Sequence, residues 1–359
     1  MKRACTSLRL LALGAVALVA AGMPSCDFED FAPSSTLTTL RVVAVTADPP
    51  YARPGEEVVL RLTYHDALGA AGGGVRPIQI SWLGGCFNPP GDSYAGCYAK
   101  LGALFGHMGQ GAPPPAGQLK TEMAPPELSG RPDAVSFALR IPPDVLDDAP
   151  LAASGSRYAT GYVFFAACAG TLRPVPPSGA ISFPLGCFDA QGAALGADSF
   201  VPGYTQIYVF ADGRTNANPP VIGFTLDGAA FAEDRDSPPE VARCPIGDDE
   251  RGQRGCQSRE AECTSYDVGA VIGDVAEVDP ESHAASGAPL REAVWVDYFV
   301  DRGTLDDAVR LVSAATGEYR PEHAASWLPP AEPGLATLWA VARDARGGST
   351  VVRRFVLVK

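Results

Sequence analysis

The sequence is poor in the residues and motifs on which catalytic sites most often depend. Its 359 residues include only four histidines, and no two of them have the spacing of paired metal ligands on a helix or a hairpin. The nucleophile motif Gly-x-Ser-x-Gly, the zinc motif His-Glu-x-x-His and the glycine-rich phosphate loops do not occur. These absences disfavour the common hydrolase, zinc-protease and nucleotide-binding classes.

Lysine is scarce as well: only four of the 28 basic residues are lysines, and acidic residues outnumber basic ones. Without the three basic residues among the first ten positions, 25 basic residues face 41 acidic ones, and the net charge is near −16. Nucleic acids and anionic lipid surfaces attract basic proteins. The charge therefore predicts no nucleic acid partner and no membrane contact through a basic surface.

Long apolar runs are also missing. The longest stretch, residues 10–21, follows a basic start but is too short for a membrane-spanning helix, which needs about 20 apolar residues. A basic start, a short apolar middle and small residues at its end are typical of a cleaved export signal. We therefore predict a signal peptide over residues 1–25.

The signal ends at a cysteine. "MPSC", ending in Cys26, resembles the lipobox of bacterial lipoproteins, although Met23 and Pro24 depart from the usual pattern. We predict lipidation of Cys26 and a flexible tether over 26–38, because "DFEDFAPSSTLTT" has no sustained hydrophobic period. The protein would then be anchored by lipid in the cell envelope, at the outer membrane or facing the periplasm. Ordinary cleavage after Ala21 would instead give a soluble secreted protein.

The remaining cysteines suit an oxidising compartment, since no pair has the Cys-x-x-Cys spacing of zinc or redox sites. We expect the bridges Cys86–Cys97 and Cys168–Cys187, because each closes a short loop, and each would contribute about 3 kcal/mol. Disulfide bonding is also expected for two cysteines of the second half, Cys256 and Cys263. Lipidation of Cys26 leaves an odd number of cysteines, so one would stay unpaired.

Period-two alternation predicts strand after strand. Its clearest instances are Val58 to Tyr64, "IQISW" ending in Trp82, and "AVSFALRI", while "YVFFAAC" and "QIYVFAD" are apolar enough for central strands. The best candidate for a short helix is "TLDDAVRLV", residues 304–312. The fold class is predicted to be all-β.

A polar, Pro-rich segment, "ADGRTNANPP", divides the chain. It is typical of a domain linker, so we predict β-sandwich domains over 39–213 and 219–359. In the later strand "ATLWAVARD" each face carries apolar residues. We expect Trp339 and Val341 in the core of the second domain; a strand buried on both faces, or an exposed Trp339, is the alternative.

Two stretches resemble immunoglobulin-like domains of bacterial surface proteins. "ADPPYARPGEEVVLRLTYHDA", followed by "ISW", is similar to the opening of such a domain, and "EPGLATLWAVARDARGGSTVVRRFVLV" is similar to its closing half, with an Asp-x-x-Gly-Gly hairpin before the final strand. The resemblance implies two immunoglobulin-like β-sandwiches with loop insertions at about 86–130 and 233–263. The layout also resembles that of uncharacterised putative lipoproteins of the myxobacterial type, which implies no activity.

Candidate ligands are few. His65-Asp66, near a strand end, is the histidine–acid pair that we single out, and the acids at 248–250 and at Asp301, Asp306 and Asp307 do not match a calcium loop. We therefore predict no catalytic residues, metal or cofactor. The expected function is a structural or binding module with a protein or polysaccharide partner; the alternative is a hydrolase or metal-dependent enzyme whose site lies in the insertions.

Overall fold

Alternation of buried and exposed side chains governs the strands. The computed structural model describes residues 33–71, 76–98, 100–102, 117–175, 183–247, 251 and 259–359. Within β6 (Val135–Arg140) every second residue is buried, and β15 (Val294–Val300) shows the same alternation. The alternation predicted for β6 is confirmed, and in both strands one face meets a core and the other does not.

The first sandwich consists of two packed sheets. The smaller sheet has the order β1 (Leu40–Asp48), β3 (Glu57–Asp66), β6. The larger has the order β2 (Tyr51–Ala52), β10 (Phe200–Phe210), β7 (Tyr158–Cys168), β4 (Ile78–Phe87), β5 (Leu119–Ala124). A separate hairpin is formed by β8 (Thr171–Pro174) and β9 (Leu185–Phe188).

The second sandwich repeats this arrangement. One sheet has the order β12 (Ala229–Ala230), β11 (Gly223–Leu226), β14 (Tyr266–Val271), β18 (Ala325–Leu328), β16 (Thr304–Asp306). The other has the order β13 (Glu240–Val241), β20 (Ser349–Val358), β19 (Gly334–Asp344), β15, β17 (Val309–Ser313).

The strand order is immunoglobulin-like in both sandwiches. In the first sandwich, β1, β3 and β6 share one sheet, and β4, β7 and β10 share the other. In the second, β11, β14 and β18 share one sheet, and β15, β19 and β20 share the other. Strands A, B, E and C, F, G of the immunoglobulin fold are divided between its two sheets in the same way. In each case a two-residue strand also pairs in parallel with the last strand. The predicted fold class is therefore confirmed.

Each sandwich has its own core. In the first, Trp82 on β4 is fully buried and stacks on Phe137 with ring centroids 5.6 Å apart. In the second, Tyr298 on β15 is buried in the apolar core, and its hydroxyl donates to the carbonyl oxygen of His323 at 2.8 Å. A buried tyrosine needs such a partner because an unpaired hydroxyl is costly in a core.

Helices among the described residues are short. They include α1 (Ala67–Ala71), α2 (Ser282–Ser286) and the 3₁₀ turns Pro90–Asp92, Tyr94–Cys97, Pro126–Leu128 and Glu260–Glu262. The helix predicted over 304–312 is wrong: this segment forms β16 and β17, and Asp307 between them has a φ of +52°. A nine-residue helix is marginal by itself, so pairing with β18 and β15 decides the outcome.

Residues Ser34–Lys359 form one compact unit. The domain boundaries near 213 and 219 stay a prediction. The tether predicted over 26–38 extends too far, because Leu37 is buried and its backbone N–H donates to the carbonyl oxygen of Val300 at 2.8 Å. Its residues 26–32 lie outside the described residues.

Candidate functional site

Some residues singled out in the sequence lie outside the described part of the chain. They are Cys26, Cys256 and the acids at 248–250. Lipidation of Cys26 therefore stays a prediction.

Three disulfides close loops in the described residues. Cys86 is bonded to Cys97 and Cys168 to Cys187, which are the two pairings expected from short loop length. Bridges of this kind persist in oxidising compartments and indicate an extracytoplasmic location.

The third bridge corrects the prediction for the second half. Cys263 is bonded to Cys244, which the prediction had left out. Parallel pairing of β13 with β20 places Cys244 beside Pro330, where its backbone N–H donates to the proline carbonyl at 3.2 Å. The Cα atoms of Cys244 and Cys263 are then 4.7 Å apart, a proximity that sequence spacing does not reveal.

The pair His65-Asp66 is not a catalytic pair in this fold. Successive residues of a strand point to opposite faces, and Asp66 forms a bidentate ion pair with Arg76. His65 packs on Trp339 with ring centroids 5.1 Å apart. Burial lowers the pKa of His65 to about 4, against the opposing effect of Asp66. His65 is therefore a neutral packing residue at neutral pH.

Asp301 and Asp307, two of the acids noted in the sequence, already have partners within the second sandwich. Asp301 accepts a hydrogen bond from the backbone N–H of Thr337 at 2.7 Å, and burial raises the pKa of Asp301 to about 6. Asp307 is paired with Arg310 at 2.8 Å. Among the residues that the structure describes, no three His, Cys, Asp or Glu side chains are placed to hold a metal ion.

Trp339 lies between the two sandwiches and not in the core of the second. The predicted inward face of β19 is wrong, because Leu338, Ala340 and Ala342 fill that core. Trp339 and Val341 instead pack against Val43 and other residues of the first sandwich. The strand is thus buried on both faces, the alternative considered from the sequence. We call this contact the junction; its fully buried members are Leu37, Val43, Ala44, Trp339 and Val341.

Hydrogen bonds fix the junction further. The indole N–H of Trp339 donates to the carbonyl oxygen of Gly130 in the first sandwich at 2.7 Å. Asn218 of the linker donates to the carbonyl oxygen of Ala47 at 2.9 Å and accepts from the backbone N–H of Ser349 at 2.8 Å. One linker side chain therefore ties the first strand of one sandwich to the last strand of the other.

Charged side chains hold the rest of the linker. Arg346 is buried, donates to the carbonyl oxygen of Thr215 at 2.7 Å, and lies 3.2 Å from carboxylate oxygens of both Glu277 and Glu292. Glu281 of the second sandwich accepts from the hydroxyl of Ser154 in the first at 2.7 Å. The two sandwiches are thus joined by paired polar groups as well as by apolar packing.

A groove of about 330 Å³ opens beside the junction, and we call it the junction groove. One wall is β10, where Tyr204, Gln206 and Tyr208 share a face because they alternate along the strand. The facing wall is Trp295 on β15 and Arg343 directly opposite it on β19. Its volume falls at the lower end of the range for ligand sites, about 300–1,000 Å³.

The tight turn at the end of β19 forms the base of the groove. Gly347 has a φ of +95°, which glycine adopts without strain. A Cβ at Gly348 would lie 2.8 Å from the carbonyl oxygen of Ala217, so a larger residue would displace the linker. The Asp-x-x-Gly-Gly hairpin noted in the sequence is confirmed, and it forms the base of this groove.

Two other grooves occur in the described part of the second sandwich. The larger, about 510 Å³, contains Tyr319 and His323, but the Tyr319 hydroxyl donates to the carbonyl of Ile272, and both His323 ring nitrogens lie 2.8 Å from backbone carbonyl oxygens. The smaller, about 370 Å³ near Cys263, has no aromatic lining. Of these three grooves, the junction groove has the most aromatic side chains from the strands in its walls.

Sequence reasoning missed these walls, although a signal was present. "YTQIY" places Tyr204, Gln206 and Tyr208 on the face of the strand opposite to the buried residues Ile207 and Val209. Likewise Trp295 lies on the outward face of β15. Outward aromatics at alternate positions indicate a second contact surface, but only the tertiary structure brings the two strands together.

No protein-family model matches the sequence, and no curated protein matches it. Solved structures match at low similarity. The D00-D0 domain of intimin is 11% identical, with a TM-score of 0.21, covering 88% of this chain and 100% of that one.

Two further matches are similar in extent. The fibronectin(III)-like modules of CbhA from Clostridium thermocellum are 12% identical, with a TM-score of 0.19, covering 88% of this chain and 94% of that one. The three N-terminal domains of the outer capsid protein Hoc of bacteriophage RB49 are 12% identical, with a TM-score of 0.19, covering 89% and 70%. At such TM-scores these matches carry no functional argument.

Proposed function

We propose that the protein is a non-enzymatic, lipid-anchored module of the cell envelope that presents the junction groove to a protein or polysaccharide partner. The observation that carries the proposal is the groove itself: aromatic and polar side chains of two sandwiches converge across a junction fixed by buried contacts. A preorganised surface of this kind binds without the entropic cost of ordering it.

The composition of the groove supports binding. Tyrosine, tryptophan and arginine are enriched where proteins recognise partners, because each offers a large contact area together with a hydrogen-bonding group. Tyr204 is 43% exposed and stacks on Tyr94, 38% exposed, with ring centroids 4.7 Å apart. An aromatic surface therefore extends from the groove along the outer face of the first sandwich.

The extracytoplasmic location supports an anchor at Cys26. Among the described residues, no helix has both the length and the apolarity needed to span a bilayer. A lipid on Cys26 would supply about 0.8 kcal/mol per buried methylene group.

Photo-crosslinking in cells tests the groove. A photoreactive residue replaces Ala345, an exposed alanine at the base of the groove, and in a matched control it replaces Ala229, an exposed alanine on β12. We expect adducts of higher mass from position 345 and none from position 229. Equal yields from both positions, or none from either, would contradict the proposal.

Membrane fractionation tests the anchor. Cys26→Ala should move the protein from the membrane fraction to the soluble fraction, whereas Cys5→Ala, a cysteine within the predicted signal, should not. If the unaltered protein is soluble, or if the Cys26→Ala variant stays in the membrane fraction, Cys26 does not carry the anchor.

A further inference from the structure

We infer that the junction groove binds a chain of neutral sugars. This inference rests on the proposed function and gives the chemical class of the ligand. Its basis is the combination of aromatic ring faces, neutral hydrogen-bonding groups and internally compensated charges in one groove.

The aromatic rings supply the first part of the argument. Tyr204 and Tyr208 are four residues apart on one face of β10, which separates their Cα atoms by about 13 Å along the strand. Trp295 lies in the facing wall. Aromatic faces are electron-rich, and the C–H bonds on the face of a sugar ring are weakly positive. Rings spaced along a strand therefore suit an extended chain of sugar units.

The polar groups supply the second part. Gln206 lies between the two tyrosines; its amide donates to the hydroxyl of Tyr162 at 2.7 Å, and its carbonyl accepts from the hydroxyl of Tyr208 at 3.1 Å. A carboxamide has two N–H donors and two carbonyl lone pairs, so these bonds use half of its capacity. The remaining donor and acceptor match a sugar hydroxyl, which also both donates and accepts.

The charges of the groove are compensated from within. Arg343 donates to Asp297 at 2.7 Å, and their side chains are 29% and 18% exposed. Asp344 is buried and accepts from the backbone N–H groups of Arg346 and Gly348, both at 2.8 Å. A charged ligand would have to compete with these partners, whereas a neutral ligand leaves them in place.

A peptide that binds by strand addition fits less well. One edge of β10 pairs with β7 over its whole length. The other edge of β10 is paired with β2 at Tyr208 and Val209, so a peptide strand could be added only along the earlier part of β10. Recognition at Tyr208 must therefore use side chains, as sugar binding does.

The experiment uses the full-length protein in detergent and a glycan array containing neutral oligosaccharides with acidic ones, such as polygalacturonate, for comparison. Glycans bound on the array are then titrated by calorimetry and by tryptophan fluorescence. We expect neutral oligosaccharides to bind, and Tyr204→Ala and Trp295→Ala each to weaken binding about tenfold, the equivalent of one aromatic contact. Tyr204→Phe, which keeps the ring, should bind nearly normally.

The matched control is Met123→Ala, which alters a large, 52% exposed side chain on β5, at the opposite edge of the same sheet. This variant should bind like the unaltered protein. Circular dichroism of each variant separates loss of binding from loss of fold.

The other outcomes overturn the inference in distinguishable ways. Binding confined to acidic glycans, or unaffected by Tyr204→Ala and Trp295→Ala, contradicts a neutral-sugar site in the groove. If no glycan binds while position 345 cross-links to a protein in cells, the sugar inference fails and the proposed function stands. If no glycan binds and position 345 gives no cross-link, both the sugar inference and the proposed function fail.

Discussion

The two sandwiches have the same strand order but cover their outer faces differently. The strand before the last long strand is β7 in the first sandwich and β19 in the second, and both are apolar on both faces. One face of each packs into the core, and the other apolar face must be covered from outside the core. In the first sandwich, the protein's own insertions cover it: Leu101, Cys97 and Leu185 pack over Tyr162 and Phe164. In the second sandwich, the first sandwich covers it through Leu37, Val43 and Ala44.

The comparison shows how one fold can serve either as a self-contained unit or as part of a fixed pair. Disulfides hold the insertions of the first sandwich in place, since Cys86–Cys97 and Cys168–Cys187 each begin at the end of a strand in the covered sheet. The second sandwich has no such cover in the residues that the structure describes. Its stability therefore depends on the junction.

The largest expected effect comes from removing the central junction side chain. Trp339→Ala should lower the free energy of unfolding by about 3–5 kcal/mol, because it leaves a cavity and an unpaired Gly130 carbonyl. Phe164→Ala, the matched change under the insertions of the first sandwich, should cost a similar amount.

Chemical denaturation checks both variants. We expect one unfolding transition for the unaltered protein and for Phe164→Ala, and two for Trp339→Ala, because only the latter uncouples the sandwiches. A Trp339→Ala protein that is as stable as the unaltered one would mean that the junction contributes little.

The disulfides allow a matched comparison of the two sandwiches. Cys168–Cys187 and Cys244–Cys263 both join residues 19 apart, one bridge in each sandwich. On the loop-entropy model, replacing either pair by alanine should cost about 3 kcal/mol. Thermal unfolding of both double variants under non-reducing conditions checks the equality. A clear inequality would mean that packing of the cysteines, and not loop closure, sets their contribution.

A pH dependence should arise at the junction. The pKa of His65 falls from about 6.5 in the unfolded chain to about 4 in the fold. The unfolded state then binds the extra proton first, so stability is lost as the pH falls from about 6.5 towards 4, by up to about 3 kcal/mol. His65→Phe keeps a ring against Trp339 and should remove this loss.

Comparison of His65→Phe with the unaltered protein isolates the effect. The pKa of Asp301 is raised to about 6 by burial, so this group makes the fold more stable as the pH falls. Its contribution is the same in both proteins and cancels when they are compared. Denaturant midpoints measured between pH 7.5 and 4.5 give the slope of stability against pH for each of the two proteins. Identical slopes would show that His65 does not titrate differently in the fold.

The smallest expected effect concerns the linker. Asn218→Ala removes the hydrogen bonds to Ala47 and Ser349 and should cost about 1–2 kcal/mol, measured by chemical denaturation. The control, Asp236→Ala, alters an exposed turn residue away from the junction and should cost less than about 0.5 kcal/mol. Equal effects of the two changes would mean that the linker hydrogen bonds do not couple the sandwiches.

The sequence by itself determined the all-β class and most strand faces. Period-two alternation identifies the buried sides of β6 and β15, because a strand with one buried face must alternate. Short loops also identified two disulfides, since closure over few residues needs little help from the rest of the fold.

The tertiary structure alone decided what alternation and spacing leave ambiguous. Trp339 lies on a strand with two apolar faces, and local periodicity cannot say which face meets the core and which meets another sandwich. Residues 304–312 became two strands, and Cys263 found Cys244, because pairing partners distant in sequence override local preference. The junction groove belongs to the same class, since Tyr204 and Trp295 are 91 positions apart and only the packing of the two sandwiches brings them to one site.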